Sequence, residues 1–375
     1  MGSTEKQLDD QPSINRSSED DDACLYAMHL STSCVFQMVL KAAVELNLFD
    51  IIARPASSPA AADAYMSTSS EIASQLPTKN PDAPSLLDRM LRLLASYSLL
   101  TCSVRTGEDG SDERLYGLAP AGKFYVQNED GYSLASMPLF SHHPAFADVQ
   151  LHLKDAILEE GNPIFEKVHG TSFFQYMDAD PTFNKVFSKA MADISGITMK
   201  RMLETYKGFE GLSSLVDVGG GTGATLNMII SKYPSIKGIN FDLPHVIQHA
   251  PSYPGIENVA GDMYASVPKG DAIMMKATCH NWSDGHCIKI LNNCSKALQQ
   301  NGKVIILDYL MPEAPAESSD AAKYVSSLDN LMLVNFGGKE RTEKEFEALS
   351  KSSGFSGFRI VCRAYNVFGV MELYK

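Results

Sequence analysis

Between Leu215 and Thr225 the chain reads LVDVGGGTGAT, an apolar run that passes through a glycine-rich turn into a helix-forming segment. A strand feeding a helix through such a turn belongs to an open α/β sheet, where the missing side chains let a ligand approach the backbone at the helix start. Gly219, Gly221 and Ala224 meet the Gly-x-Gly-x-x-Gly/Ala spacing of dinucleotide sites, and Asp242 closes the next apolar strand, Gly238–Asp242, 23 residues after Gly219. An acid at that distance is placed for ribose hydroxyls. Turn and acid together specify an adenosine ligand without choosing between a nicotinamide cofactor and another adenosine. Two features point away from nicotinamide: Asp217 inside the end of the first strand, and Gly261-Asp262-Met263, an acid and an apolar residue suited to an adenine amine and ring.

The rest of the second half keeps the alternation that a parallel sheet with right-handed crossovers requires. Ala224–Tyr233 reads as a helix and Ala272–Lys276 as a strand. Ser283 and Asp284 cap a helix running to Gln300, whose Cys287, Ile290, Leu291, Cys294, Ala297 and Leu298 form one apolar stripe. Asn301-Gly302 stops it ahead of a strand at Lys303–Leu307, and Phe358–Cys362 and Val367–Leu373 supply two more.

Ahead of this half the texture is helical. Residues 1–22 carry Glu5, Asp9, Asp10 and Glu19 to Asp22 among serines, with too few apolar groups to offset the entropy of ordering, and predict a disordered acidic tail. Ala23–Ile52 has apolar residues at helical spacing and predicts one or two helices. A Pro/Ala/Ser-rich stretch from Pro55 gives way to Glu71–Leu76 and then to Ser85–Tyr97, with Leu86, Leu87, Met90, Leu93 and Leu94 on one face. Leu99–Val104 and Arg114–Leu118, parted by GEDGSD, predict a hairpin. Helix, helix, hairpin is the outline of a winged helix, expected over residues 23–120, with a helical connector and the ligand-binding domain over 121–375.

A formal net charge of −13, and no bases but Arg89 and Arg92 on the second helix, argue against DNA as its partner. Homodimerisation is the expected cover for these apolar helices. No run approaches bilayer length, and the polar N-terminus lacks the apolar core of a secretory signal. Seven scattered cysteines without Cys-x-x-Cys spacing suit a reducing compartment. A cytoplasmic protein binding neither membrane nor nucleic acid is expected.

Four further segments are specific: YPSIKGINFDLPHVIQHAPSYPGIENVAGDM, MKATCHNWSDGHC, GKVIILDYLMPEAP and GGKERTEKEFEAL. With the glycine turn they resemble the plant caffeic-acid-type (class II) O-methyltransferases over nearly the whole chain after Ala23. The resemblance implies a Rossmann-like class I methyltransferase domain behind an N-terminal helical, winged-helix dimerisation domain. It also implies a homodimer that uses S-adenosylmethionine to methylate a hydroxyl of a small plant phenolic, without a metal. By motif position, Gly219, Asp242, Asp262, Met263 and Lys276 would hold the cofactor, with Ser195 near its carboxylate. His280 would be the general base, oriented by Asp308 and Glu340, and Met191, Met332 and Asn335 would lie near the acceptor ring.

Acid–base chemistry agrees with that assignment. A phenol has a pKa of about 10 and imidazole one of about 6.5, so a positioned imidazole can accept the proton as the phenolic oxygen attacks a methyl group. A carboxylate on the far ring nitrogen fixes the tautomer and stabilises the imidazolium. His245 and His249 stand four apart, but HVIQH lacks the Glu of a metalloprotease pair, so a surface or cap role is expected. His142-His143 stands where the family's acceptor pocket begins.

Several positions depart from the family. Asp308 stands for the usual Glu, Ala277-Thr278 for Trp-Ile, Asn281 for Asp and Ser141 for a polar amide, and LDNLMLVNFGG is one residue short. These changes cluster around the acceptor pocket, so the acceptor stays open among phenylpropanoids, coumarins, flavonoids, lignans and alkaloid phenols. Three alternatives stand beside this reading: an N-methyltransferase acting on a small aromatic amine, a nicotinamide-dependent oxidoreductase sharing the glycine turn, and a winged-helix binding protein with a weak enzyme half.

Overall fold

The computed structural model describes residues 18–54, 66–106, 110–161, 163–314 and 319–375. They fall into two compact units, one ending at Val126 and the other beginning at Gln127. Of the expected disordered tail, residues 1–17 lie outside the described residues, but 18–22 are helical. They open the helix Ser18–Ser31, whose first turn holds Glu19, Asp20 and Asp21, where carboxylates meet the positive end of the helix dipole. The Pro/Ala/Ser-rich residues 55–65 and the turn residues 107–109 also lie outside the described residues.

In the first unit, helices Ser18–Ser31, Ser33–Glu45 and Leu48–Ala53 precede strand β1 (Ser67–Thr68), helices Ser69–Ser74 and Ala83–Ser96, and the hairpin of β2 (Leu100–Thr106) and β3 (Asp112–Leu118). The sheet order is β1-β3-β2, antiparallel throughout. Thr68 and Glu71 form a reciprocal capping box that fixes the start of helix Ser69–Ser74. Helix Ala83–Ser96 turns Leu87, Leu91 and Leu94 into the core. The first helix buries nothing: Leu25, Tyr26, Met28 and Leu30 are all more than half exposed.

The second unit is built on eight strands: β4 (Ser214–Val218), β5 (Lys237–Asp242), β6 (Ile256–Ala260), β7 (Gly270–Lys276), β8 (Leu298–Met311), β9 (Arg341–Thr342), β10 (Gly357–Ala364) and β11 (Phe368–Tyr374). Their order is β10-β11-β8-β7-β4-β5-β6, with β9 pairing β8. Strands β4 to β9 pair in parallel, as the alternation of strand and helix requires. In the closing hairpin β11 pairs antiparallel with β8 and β10 antiparallel with β11. Helix Asp284–Ala297 stops three residues before the expected Gln300, and β8 begins at once, five residues ahead of Lys303.

Side chains alternate across the central strands. Val216, Val218, Ile273, Met275, Val304 and Ile306 pack with Ile290, Leu291, Phe346 and Leu349 on one face. Leu215, Ala272, Met274, Ile305 and Leu307 pack with Met199, Met202, Leu226 and Ile229 on the other. A third cluster, rich in Phe140, Phe146, Phe165, Phe173 and Phe183, joins the helices before residue 190 to Val334. Among the described residues no single helix is long and apolar enough to cross a membrane.

Candidate active site

The C-terminal ends of the parallel strands bring the expected cofactor residues to one rim. Gly219 follows β4, Asp242 ends β5, Asp262 and Met263 follow β6, and Lys276 ends β7. This rim is where open α/β sheets take their ligands. The glycine turn is tight: a Cβ on Gly220 would stand 2.2 Å from Asn240 Oδ1. Gly221 N donates to Asp242 Oδ2 at 2.9 Å, so the acid that closes β5 also shapes the turn. Asn240 was not singled out from the sequence. It lies fully buried in β5 and its Nδ2 donates to Gly221 O at 3.1 Å and Asn258 Oδ1 at 3.0 Å. An amide interrupting an apolar strand was the available signal.

Lys276 Nζ donates to Ser195 Oγ at 2.7 Å, which joins helix Pro181–Thr205 to the end of β7. Burial lowers the Lys276 pKa, against the nearby Asp217 and Asp308 carboxylates. Asp217 is itself buried, and burial pushes its carboxyl up to about 7 against the pull of Lys276. Its Oδ2 has no hydrogen-bond partner among the described residues. Asp262 is exposed and accepts from Tyr264 N at 2.8 Å, while Met263 packs against the core beside Trp282 and Tyr264. Two acids on neighbouring strand ends, an apolar residue, an ammonium with its hydroxyl partner and an unpartnered buried carboxylate oxygen fit an adenosine that carries a charged amino-acid tail.

His280 sits in a 3₁₀ turn, Cys279–Asn281, just beyond β7. Its Nδ1 lies 2.9 Å from Glu340 Oε1 and 3.5 Å from Asp308 Oδ1. Both carboxylates are buried, and each keeps one oxygen, Asp308 Oδ2 and Glu340 Oε2, without a partner among the described residues. Burial disfavours the imidazolium, yet Asp308 and Glu340 outweigh it and hold the His280 pKa above its ordinary value. Nε2 is the ring nitrogen left for a proton from outside. One nitrogen and two carboxylate oxygens within 4.8 Å of one another could also ligate a metal ion.

Four consecutive residues grip this turn. Gly338 leaves room, since a Cβ there would fall 2.0 Å from His280 O. Lys339 N donates to His280 O at 3.0 Å, and Glu340 takes the ring. Arg341, fully buried, donates to Cys279 O at 2.7 Å, to Trp282 O at 2.6 Å and to Asp284 Oδ1 at 2.8 Å. The carbonyls on either side of His280 are thus pinned by a planar fork. The sequence marked the GGKERT segment but gave Arg341 no role.

Of the expected acceptor residues, Met332 and Asn335 share helix Asp320–Phe336. Met332 O accepts from Gly338 N at 3.3 Å, which brings it to the gripping segment. Asn335 is buried, its Nδ2 donating to Leu331 O at 2.7 Å and its Oδ1 unpartnered among the described residues. Met191, on helix Pro181–Thr205, packs against the aromatic cluster together with Leu331 and Phe336. His143 reaches that cluster with its ring 5.1 Å from Phe183, and His245 and His249 are exposed.

Known proteins are similar to this chain. An O-methyltransferase domain family matches residues 151–356 and an O-methyltransferase dimerisation domain family matches residues 28–128. Caffeic acid 3-O-methyltransferase of Prunus dulcis is 58% identical over 357 residues, 95% of each chain. O-methyltransferase 13 of Lophophora williamsii is 57% identical over 95% of this chain and 96% of its own. Human N-acetylserotonin methyltransferase in complex with SAM superposes with a TM-score of 0.75 at 21% identity, covering 100% of this chain and 99% of that one. CalO1, a methyltransferase of calicheamicin biosynthesis in its SAH-bound form, gives 0.76 at 22% identity, covering 96% and 99%. At such identities the two structures speak for the fold.

Proposed function

The chain belongs to the plant caffeic-acid-type O-methyltransferase family, and from that premise we propose that it methylates a hydroxyl of a small plant phenolic with His280 as general base. The cofactor is S-adenosylmethionine, which supplies an electrophilic methyl group on a sulfonium centre. Gly219, Asp242, Asp262 and Met263 hold its adenosine, and Lys276 and Ser195 its amino-acid end. Met191, Met332 and Asn335 flank the acceptor ring.

The observation that carries the reading is the position of Nδ1, 2.9 Å from Glu340 Oε1. A ring nitrogen so engaged carries the proton there, leaving Nε2 as acceptor for the phenolic proton. When that proton arrives, the imidazolium is stabilised between Glu340 and Asp308. Proton removal at the oxygen raises its nucleophilicity as the bond to carbon forms, so no Lewis acid is needed, and chelator-treated protein should keep its rate.

The exposed Leu25, Tyr26, Met28, Val35 and Met38 of the first two helices lie in a unit matched by the dimerisation-domain family, and a second copy of the chain is the partner we assign to them. The test of the function is turnover against a panel of catechols, coumarins, flavonoids, lignans, alkaloid phenols and aromatic amines. A gain of one methyl on oxygen supports the reading. Transfer to nitrogen alone, or no methyl transfer to any panel member, contradicts it.

A further inference from the structure

Glu340 orients His280, but the side-chain contact of Glu340 is a single one, and its second oxygen has no partner among the described residues. Its position therefore depends on how its backbone is held. Strand β9, which follows it, is two residues long. The Glu340 N–H donates to Asp329 Oδ1 at 2.8 Å, a charge-assisted bond from a half-buried side chain on helix Asp320–Phe336. One turn further on, Met332 O accepts from Gly338 N. The helix thus grips the segment at 338 and 340, on both sides of Lys339, whose own N–H holds His280 O.

We propose that Asp329 is a positioning residue for methyl transfer: by holding the Glu340 backbone it sets the carboxylate that aims His280, and it ties the base to the helix that carries Met332 and Asn335. The proposal rests on His280 as the base. The bond to Asp329 restrains the Glu340 backbone directly, since a buried N–H without an acceptor would draw the segment toward another partner. Displacement of the Glu340 carboxylate by a fraction of an ångström turns the imidazole away from the acceptor hydroxyl, and errors of about 1 Å cost up to ~100-fold in rate. Cofactor contacts lie on the other strand ends and are left alone.

The test compares Asp329→Ala, Asp329→Asn, Asp329→Glu and His280→Ala in the full-length protein, with the phenol that the parent methylates fastest in the panel as acceptor. It reads kcat, both KM values, the calorimetric affinity for S-adenosylmethionine and the melting temperature. Asp329→Ala should lower kcat about ten- to hundred-fold while cofactor affinity stays within about twofold. Asp329→Asn keeps an acceptor oxygen in place and should recover most of the rate. Asp329→Glu keeps the charge but moves that oxygen by a methylene, and should fall below Asp329→Asn even where Asp329→Ala does not fold. Wild-type kcat in Asp329→Ala or Asp329→Glu, or equal loss in Asp329→Asn and Asp329→Ala, overturns the proposal if His280→Ala is inactive. An active His280→Ala overturns the base assignment instead.

Discussion

His280 turns its Nδ1 to Glu340 at 2.9 Å while Asp308 stands off at 3.5 Å, so the two carboxylates divide their work unequally. Glu340 engages the ring in a hydrogen bond and Asp308 adds charge from the edge of hydrogen-bonding range. Glu340→Gln keeps an acceptor but removes a charge that holds the His280 pKa up. A His280 that acts as the proposed base works unprotonated, so the acid limb of kcat/KM should move to lower pH, with kcat down about ten- to hundred-fold. A pH profile between about 5 and 9 checks it, and an unmoved acid limb contradicts the charge argument.

Asp308→Glu adds one methylene to the second carboxylate beside His280. The longer side chain can close the 3.5 Å gap to Nδ1. Activity should equal or exceed that of the parent, as initial rates will report. A large loss would mean that the buried site is packed around the shorter acid, since Asp308 is fully buried.

Lys276→Met removes the ammonium that meets Ser195 Oγ at 2.7 Å. Affinity for S-adenosylmethionine should fall about ten- to hundred-fold, the value of a bond to a charged group. Ser195→Ala should cost less, because the ammonium remains. Titration calorimetry on both variants decides, and unchanged affinity in Lys276→Met would remove that residue from the cofactor site.

A stability prediction concerns Glu372, buried in β11, which accepts from Tyr206 Oη and Lys303 Nζ, each at 2.6 Å, from Arg359 Nη2 at 2.7 Å and from the Tyr374 hydroxyl. Burial alone would raise its pKa, but these donors pull it down to about 2. A depressed carboxyl pKa gives stability that is complete above the unfolded value of about 4.3 and is lost as pH falls toward the folded one. Glu372→Gln should be destabilised by about 3–5 kcal/mol at neutral pH, as when a buried pair is broken. Urea titrations should show the gap shrinking between about pH 4 and 2; a gap that is constant over that range contradicts the assignment.

Much of this was legible beforehand because the glycine turn, Asp242, Lys276 and His280 sit where strands end, and strand ends follow from local apolar patterning. The acids at 308 and 340 are distant in sequence, and only resemblance to known relatives placed them beside His280. Asp329 and Arg341 were not read at all: their partners are backbone groups, Glu340 N and the carbonyls of Cys279 and Trp282, which no side-chain pattern announces. The expected tail extended five residues too far, since acids at 19–21 support a helix start as readily as they signal disorder.

The base assignment is met most directly by His280→Ala, assayed for turnover and for calorimetric S-adenosylmethionine affinity in one preparation. Turnover should fall by at least about 100-fold while cofactor affinity stays near that of the parent. Parental turnover in that variant would contradict His280 as the base.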